Sequence, residues 1–482
     1  MWSERRYYPV DEFMKNFFCL ILLSLAPSFA TCQQAARMLS LESFLSQVKV
    51  RHPAARQAYL EREKAAQNVR QARGAFDPQL LFSYQKKDFR GKNYYDVLES
   101  ELKLPTRLGL DFKAGYDRSS GIFLNPENNL PPGGLTYAGI SMPLAQGLFI
   151  DEQRATLRQA LIDAEAADLR QTALLNDLLL EASHVYWQWY AAWRERQIFQ
   201  QALDLAQARF VATVETFRLG DRPAIDTLEA LLQVQSRLID LADAALLTRK
   251  AELALENFFW NENREPTPLQ DSLVPAGSDG ILTTTSLLES WQQSLADLPV
   301  LHPLLRQYTL KLDALQVERR WKKEKLKPRL DLQYNFLTEP VGDTFREDLG
   351  FANAKWGVYF KFPLFLRSER SGVQLTDLKI RETSLELAQK EQLIRTKTEA
   401  FATERQNFDV QLATLDNAVD NYRLLLQSEQ QLFDLGESTV FLVNSRENKL
   451  VEAQVKRVTV EMKRQLSMVG LLHTLGSLAS LF

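Results

Sequence analysis

The sequence predicts a mixed α and β membrane protein in which one unit, strands followed by a long helical hairpin, occurs twice. Three observations predict it. Landmark motifs recur in the same order in both halves, helical runs pass without glycine or proline, and short strands alternate strictly between apolar and polar residues.

The repetition comes first. His52-Pro53 returns as His302-Pro303, and Phe76-Asp77-Pro78-Gln79-Leu80 returns in outline as Leu326-Lys327-Pro328-Arg329-Leu330, both 250 positions on. Ser141-Met142-Pro143-Leu144 returns as Lys361-Phe362-Pro363-Leu364 at an offset of 220, and Phe217-Arg218-Leu219-Gly220-Asp221 as Phe433-Asp434-Leu435-Gly436-Glu437 at 216. The shrinking offset places the missing residues between the second and third landmarks, in a loop-rich segment. The chain divides into a repeat over 40–260, a Pro- and Gly-containing inter-repeat linker over 261–298 and a second repeat over 299–475.

Ahead of the first repeat, Lys15 precedes an apolar run from Phe17 to Ala26, followed by Pro27-Ser28-Phe29-Ala30. This pattern predicts a secretory signal peptide over 1–30, cleaved after Ala30. The run has about half of the ~20 residues that a spanning helix needs. Met14-Lys15 would open a normal signal by itself, so translation can begin at Met1 or Met14. Of the two cysteines, Cys19 lies inside the signal, which leaves Cys32 without a disulfide partner. Phe29 and Thr31 stand where a lipoprotein site expects Leu and Gly or Ala, which argues against lipidation of Cys32.

The long helices follow from what is absent. From Leu148 to Leu219 no glycine or proline interrupts the backbone, and at about 1.5 Å per residue such a helix reaches roughly 110 Å. A heptad begun at Leu157 puts Leu161, Ala164, Leu175, Leu178, Ala182, Val185, Trp189, Phe199, Leu203, Phe210 and Phe217 on one seam, as in a coiled coil. After Leu219-Gly220-Asp221-Arg222-Pro223, a second breaker-free run from Ala224 returns antiparallel. Val373 to Leu435, a turn at Gly436 and a return from Glu437 to Val469 repeat the geometry.

The strands separate this chain from a soluble coiled-coil rod. Arg329-Leu330-Asp331-Leu332-Gln333-Tyr334-Asn335-Phe336 is apolar at every second residue, and Trp356, Val358, Phe360 and Phe362 share one side of the next strand. A turn-rich segment, Thr338 to Asn353, joins them. Repeat 1 offers Leu80, Phe82 and Tyr84; Glu99 to Leu104; Leu108, Leu110, Phe112, Ala114 and Tyr116; and Thr136 to Met142. That makes four candidate strands against two in repeat 2, and the alternation does not say which of the four match. Strands of this length with aromatics on the apolar side predict a transmembrane barrel wall. One chain has too few strands to close a barrel and open edges cannot face lipid, so several copies must share one.

From about Ser40 to Leu475 the order His-Pro, helix, Pro-x-Leu strand, hairpin, Pro-Leu, very long helix, Leu-Gly-Asp/Glu and returning helix, given twice, resembles the TolC-type outer membrane efflux proteins. The resemblance implies a homotrimer with four strands per protomer. Together these would form a twelve-stranded β-barrel in outer membrane lipid, continued by an α-helical coiled-coil tunnel into the periplasm. It also implies a passive export duct of a tripartite efflux or type I secretion system, docked onto a periplasmic adaptor and an inner-membrane efflux pump or ABC transporter. The rival class is a periplasmic coiled-coil adaptor or envelope spacer, which usually has a single helical hairpin.

No catalytic, cofactor or metal site is expected. The four histidines are scattered, and His52 and His302 each precede a proline, where they start helices. A net charge of −3 and a pI near 6.0 leave no basic footprint for nucleic acid. Functional interest lies at the two hairpin tips, which in the family form the periplasmic aperture. By the resemblance Asp226 falls at a tip aspartate that helps hold the aperture closed, with Glu229 one turn on. In three copies these carboxylates would crowd the opening and attract cations. In repeat 2, Leu442 and Ser445 stand where some relatives place lumen aspartates. Asn444 and Arg446 are placed to pair with Asp226 across the tips as a latch. For adaptor docking the turn residues Leu219, Gly220, Asp221, Leu435, Gly436, Glu437 and Ser438 are the candidates, because turn backbones leave polar groups free.

Overall fold

The computed structural model describes residues 37–263, 265–269, 273–277, 298, 302–339 and 353–482. The predicted signal peptide, Cys32, much of the inter-repeat linker and most of the segment between Thr338 and Asn353 lie outside them.

Repeat 1 opens with a short strand β1 (Arg37–Leu39), then α1 (Leu41–Arg51) and α2 (Pro53–Gly74). Four strands follow: β2 (Gln79–Phe89), β3 (Lys92–Pro105), β4 (Asp111–Ser120) and β5 (Leu135–Pro143). The helical hairpin is α3 (Glu152–Arg218) and α4 (Ala224–Glu256). Within the linker β6 (Leu273–Pro275) pairs parallel with β1. Repeat 2 runs α5 (Pro303–Glu324), β7 (Arg329–Thr338), β8 (Ala354–Lys361), α6 (Arg367–Asp434) and α7 (Val440–Thr474), and the short α8 (Leu478–Leu481) ends the chain.

The His-Pro motifs act as the sequence predicts. His52 and His302 are the N-caps of α2 and α5, and each Nδ1 accepts the backbone N–H two residues on, at 3.2 Å. The Nε2–H of His302 is then free to donate to the Thr474 carbonyl at 3.0 Å, which describes a neutral ring. Burial holds both imidazoles below their ordinary pKa.

α3 is one unbroken helix of 67 residues, about 100 Å long. Its seam is only partly internal to the protomer: Leu175, Leu178, Ala182, Trp189 and Leu203 are buried, whereas Leu161 and Phe217 are exposed. The 68-residue α6 begins before Val373 and takes in Gly372, and α7 continues through Gly470 to Thr474. A Cβ on Gly470 would come within 2.6 Å of the Phe401 ring, so this glycine lets α7 approach α6 closely.

Near the sheet α2, α3, α5 and α6 pack side by side; toward the tips α4 packs on α3, and α7 on both α3 and α6. The main core sits about midway along α3. There Phe44, Tyr186, Trp187, Trp189, Tyr190 and Phe258 are buried against α7 and the C-terminal α8. Tyr186 Oη donates to the Leu39 carbonyl at 2.8 Å, tying β1 to the long helix. Asn176 holds the C-terminus, donating to the Gly476 carbonyl at 3.0 Å and accepting from the Ala479 amide at 2.6 Å.

All six strands of the two repeats form one antiparallel sheet, in the order β2-β3-β4-β5-β7-β8. This corrects the expectation of four strands per protomer. β2 corresponds to β7 and β5 to β8 by their landmarks, so β3 and β4 are the pair without a counterpart among the described residues of repeat 2. They account for the offset falling from 250 to 220. Leu108 and Leu110, expected in a strand, lie in the turn before β4, where Gly109 has a φ of +85°.

The register aligns the apolar residues of every strand on one face. Leu80 is opposite Leu102, Leu102 opposite Ala114, Ala114 opposite Ala138, and Ala138 opposite Phe336. Lower on the same face Leu104, Phe112, Ile140, Tyr334 and Trp356 follow one another. The reverse face is polar. Glu101 there accepts from Tyr137 Oη at 3.0 Å and pairs with Lys113 at 3.5 Å, while Lys103 and Asp111 pair at 3.1 Å.

Candidate aperture at the helical tips

Both hairpin tips are built alike. α3 ends on Gly220 with φ +86° and α6 on Gly436 with φ +80°. The Gly220 amide donates to the Phe217 carbonyl at 2.9 Å and that of Asp221 to Thr216 at 3.1 Å; Gly436 to Phe433 at 3.1 Å and Glu437 to Leu432 at 2.9 Å repeat the pattern. These bonds satisfy carbonyls that a helix end would leave orphaned. Pro223 then precedes α4, and Thr439 caps α7 with its side chain.

The tip candidates separate into two groups. Leu219, Gly220, Asp221, Leu435, Gly436 and Glu437 are exposed, with Leu219 at 76% and Leu435 at 73%. Ile225, Leu228 and Phe441 beside them extend an apolar end surface. Ser438 is different: it is buried and donates to Glu429 Oε1 at 2.6 Å, so its hydroxyl is used inside the protomer.

The expected pairing of Asp226 with Asn444 or Arg446 does not occur within the protomer. Asp226 pairs with Arg222 at 3.5 Å, four residues back in the turn that precedes α4. Arg446 pairs with Glu429 at 3.4 Å, and the Ser438 hydroxyl and Arg446 guanidinium together hold the Glu429 carboxyl below its ordinary pKa. Asn444 is buried and accepts from Arg209 Nη1 at 2.8 Å. Glu229 and Ser445 are half-buried. Asp226 and Glu429 therefore each meet a nearby cation within their own hairpin.

Two contacts that join the hairpins were not among the candidates. Arg222, from the tip of repeat 1, donates through Nη2 to the Phe433 carbonyl of repeat 2 at 2.8 Å and lies 3.7 Å from the centre of its ring. Further in, Glu447 on α7 is 1% exposed and pairs with Arg209 on α3 at 2.5 Å and with Arg237 on α4 at 3.8 Å. Arg237 also pairs with Asp240 at 2.9 Å and donates to Asn448. Three helices thus share one buried ionic cluster. The one sequence signal for it was a charged pair, Arg209 and Arg237, on otherwise apolar flanks of two packed helices.

Among the described residues no group of three or more His, Cys, Asp or Glu is placed to hold a metal ion, and no helix is long and apolar enough to cross a membrane.

No protein-family model and no curated protein sequence matches this chain. Solved structures do. The Campylobacter jejuni CmeC outer membrane channel aligns with a TM-score of 0.63 at 13% identity, over 91% of this chain and 86% of that one. The open state of the Neisseria gonorrhoeae MtrE outer membrane channel aligns with a TM-score of 0.64 at 16% identity, over 91% and 89%. The Vibrio cholerae outer membrane protein VceC gives 0.62 at 14%, over 90% and 96%. The chain shares the fold of these TolC-type outer membrane channels over about nine-tenths of its length, and the matched neighbours are channel proteins rather than enzymes.

Proposed function

We propose that this chain is the outer membrane channel of a tripartite efflux or type I secretion system. Three copies assemble around one axis, their sheets forming a barrel in the outer membrane and their helices a tunnel into the periplasm. The observation that carries the reading is the sheet: one continuous apolar face, two edges unpaired among the described residues, and long helical hairpins extending from one end. A sheet with open edges is stable in lipid only when other copies close it. The fold shared with outer membrane channels supports the same reading.

The duct is passive. An adaptor meets the exposed tip residues around Leu219 and Leu435, and an inner-membrane pump or ABC transporter supplies the energy. The contacts between hairpins, Arg222 with Phe433 and Glu447 with Arg209 and Arg237, hold the closed tip, and Asp226 serves it by orienting Arg222 rather than by pairing across to Arg446.

The test is the native mass of the detergent-extracted protein together with its conductance in a planar bilayer. A trimer that forms ion-conducting channels is expected. A stable monomer that conducts nothing would sink the proposal and favour the coiled-coil spacer.

A further inference from the structure

We infer that the assembled wall has eighteen strands, six from each of three copies, with β8 of one protomer pairing with β2 of the next. The inference rests on the trimeric channel proposed above, and it departs from the twelve-stranded wall that the family resemblance implies.

The additional pair, β3 and β4, is part of the wall and not a plug or an outer flap. It is hydrogen-bonded on both sides, to β2 over eleven residue pairs and to β5 over seven. Its apolar residues Leu98, Leu102, Leu104, Phe112, Ala114 and Tyr116 continue the apolar face of the flanking strands, the one register shift lying beyond them at Lys87/Asp88, far from the helices. The polar residues Glu99, Glu101, Lys103, Asp111 and Lys113 continue the other face. The turn joining β3 to β4 is also seated on the helical end of the sheet: a Cβ on Gly109 would lie 2.9 Å from the Arg154 guanidinium at the start of α3.

The two edges fit each other. β2 starts at the helical end and β8 finishes there, so a neighbouring copy brings them together antiparallel. Leu80 is the second residue of β2 and Phe360 the seventh of the eight in β8, which puts them at the same height around a threefold axis. Leu330, the counterpart of Leu80 in repeat 2, already pairs with Phe360 inside the protomer. Leu80 and Phe360 are 77% and 64% exposed, as edge residues awaiting a neighbour would be.

Width gives an independent reason. Strands about 4.8 Å apart and tilted by about 40° occupy about 6 Å of circumference each, so six span about 37 Å. The four helices beneath them, α2, α3, α5 and α6, span about 36 Å at a spacing near 9 Å. Four strands would cover only about 25 Å. The additional hairpin therefore matches the sheet to the helical layer and sets a barrel about 36 Å across at the strand axes, against about 24 Å for twelve strands.

The experiment is cross-linking of the full-length trimer with a short bismaleimide, comparing Leu80→Cys/Phe360→Cys with Phe112→Cys/Phe360→Cys and with each single-cysteine variant. Within one protomer both pairs are separated by several strands, beyond the linker's reach. The eighteen-stranded wall predicts that the first pair converts the monomer band into a covalent trimer on a denaturing gel and that the second leaves it monomeric. Phe82→Cys/Val358→Cys, one pleat further from the helices, repeats the measurement if the first pair disturbs assembly. A trimer that cross-links only through Phe112, or through neither pair, overturns the inference while leaving the channel intact. A chain that is monomeric before any cross-linker is added removes the channel reading itself.

Discussion

Arg222 and Phe433 join the tips of the two repeats through two different interactions at once: the guanidinium donates to the Phe433 carbonyl at 2.8 Å and stacks at 3.7 Å from its ring centre. Asp226 adds a carboxylate at 3.5 Å from the same guanidinium. A planar cation satisfies all three partners, whereas a lysine ammonium has no face to lay on the ring.

Arg222→Ala is expected to raise the resting conductance of the reconstituted channel, and Arg222→Lys to restore little of the closed state. Asp226→Asn should have a smaller effect in the same direction, because it removes only the orienting charge. Single-channel recording of the three variants checks this. A resting conductance equal to wild type in Arg222→Ala would remove the contact from the closing mechanism.

Glu447 is the buried counter-charge of Arg209 and a second, longer partner of Arg237, whose closer carboxylate is Asp240, so its removal leaves Arg209 uncompensated in a poorly solvated place. Glu447→Ala is expected to cost about 3–5 kcal/mol, the range for breaking a buried pair from one side. The triple replacement Glu447→Leu/Arg209→Met/Arg237→Met, which removes charge from both sides, should recover most of that loss. Chemical denaturation of the trimer would decide it, and a triple variant less stable than the single would contradict the account.

His302 carries a pH dependence of calculable sign. Burial holds its folded pKa below the unfolded value of about 6.5. Above that value the ring is neutral in both states and the contribution is complete. As the pH falls below it, the unfolded chain takes up the proton first and stability is lost. Protonation also abolishes the Nδ1 acceptor for the Leu304 amide. The melting temperature should fall more between about pH 7.5 and pH 5.5 in wild type than in His302→Asn, which caps the helix without titrating. Equal pH sensitivity in the two proteins would show that another group sets it.

Gly470→Ala should destabilise the chain even though alanine favours helices by about 1 kcal/mol. The new methyl would meet the Phe401 ring at 2.6 Å, and α6 and α7 would have to separate. Combining it with Phe401→Leu is expected to relieve much of the cost. Thermal melts of the two variants provide the comparison, and a more stable Gly470→Ala would show that the ring moves aside freely.

The repeat, the long helices and the apolar alternation were legible in the sequence because each follows from local chemistry: missing breakers, Gly at a turn, period-two patterning. The match of β2 to β7 and of β5 to β8 was within reach, since the loss of residues between landmarks already marked an added hairpin. The segment before Asp111 misled because Leu108 and Leu110 continue the alternation into what the backbone folds as a turn. Within the protomer the tip pairing differs from the expectation for another reason. Arg222 in the turn and Asp226 in the first turn of α4 are four residues apart, and Arg446 and Glu429 lie within one hairpin, whereas the expectation took Asp226 to a cation on the other repeat. Glu447 sits among charged neighbours and reads as a solvated face until α3 and α4 are laid against α7.

The chain's connectivity also limits how such a wall can change over time. α2 enters the sheet and α3 leaves it on the same side, as do α5 and α6. A single added strand would deliver the next helix to the wrong surface of the membrane, so strands can be gained or lost only two at a time. Threefold repetition multiplies each such step by three. The bore is therefore a quantity that changes in discrete jumps, set by hairpins in one repeat, while the tips, tied to each other through Arg222 and Phe433, keep their geometry whatever the wall above them does.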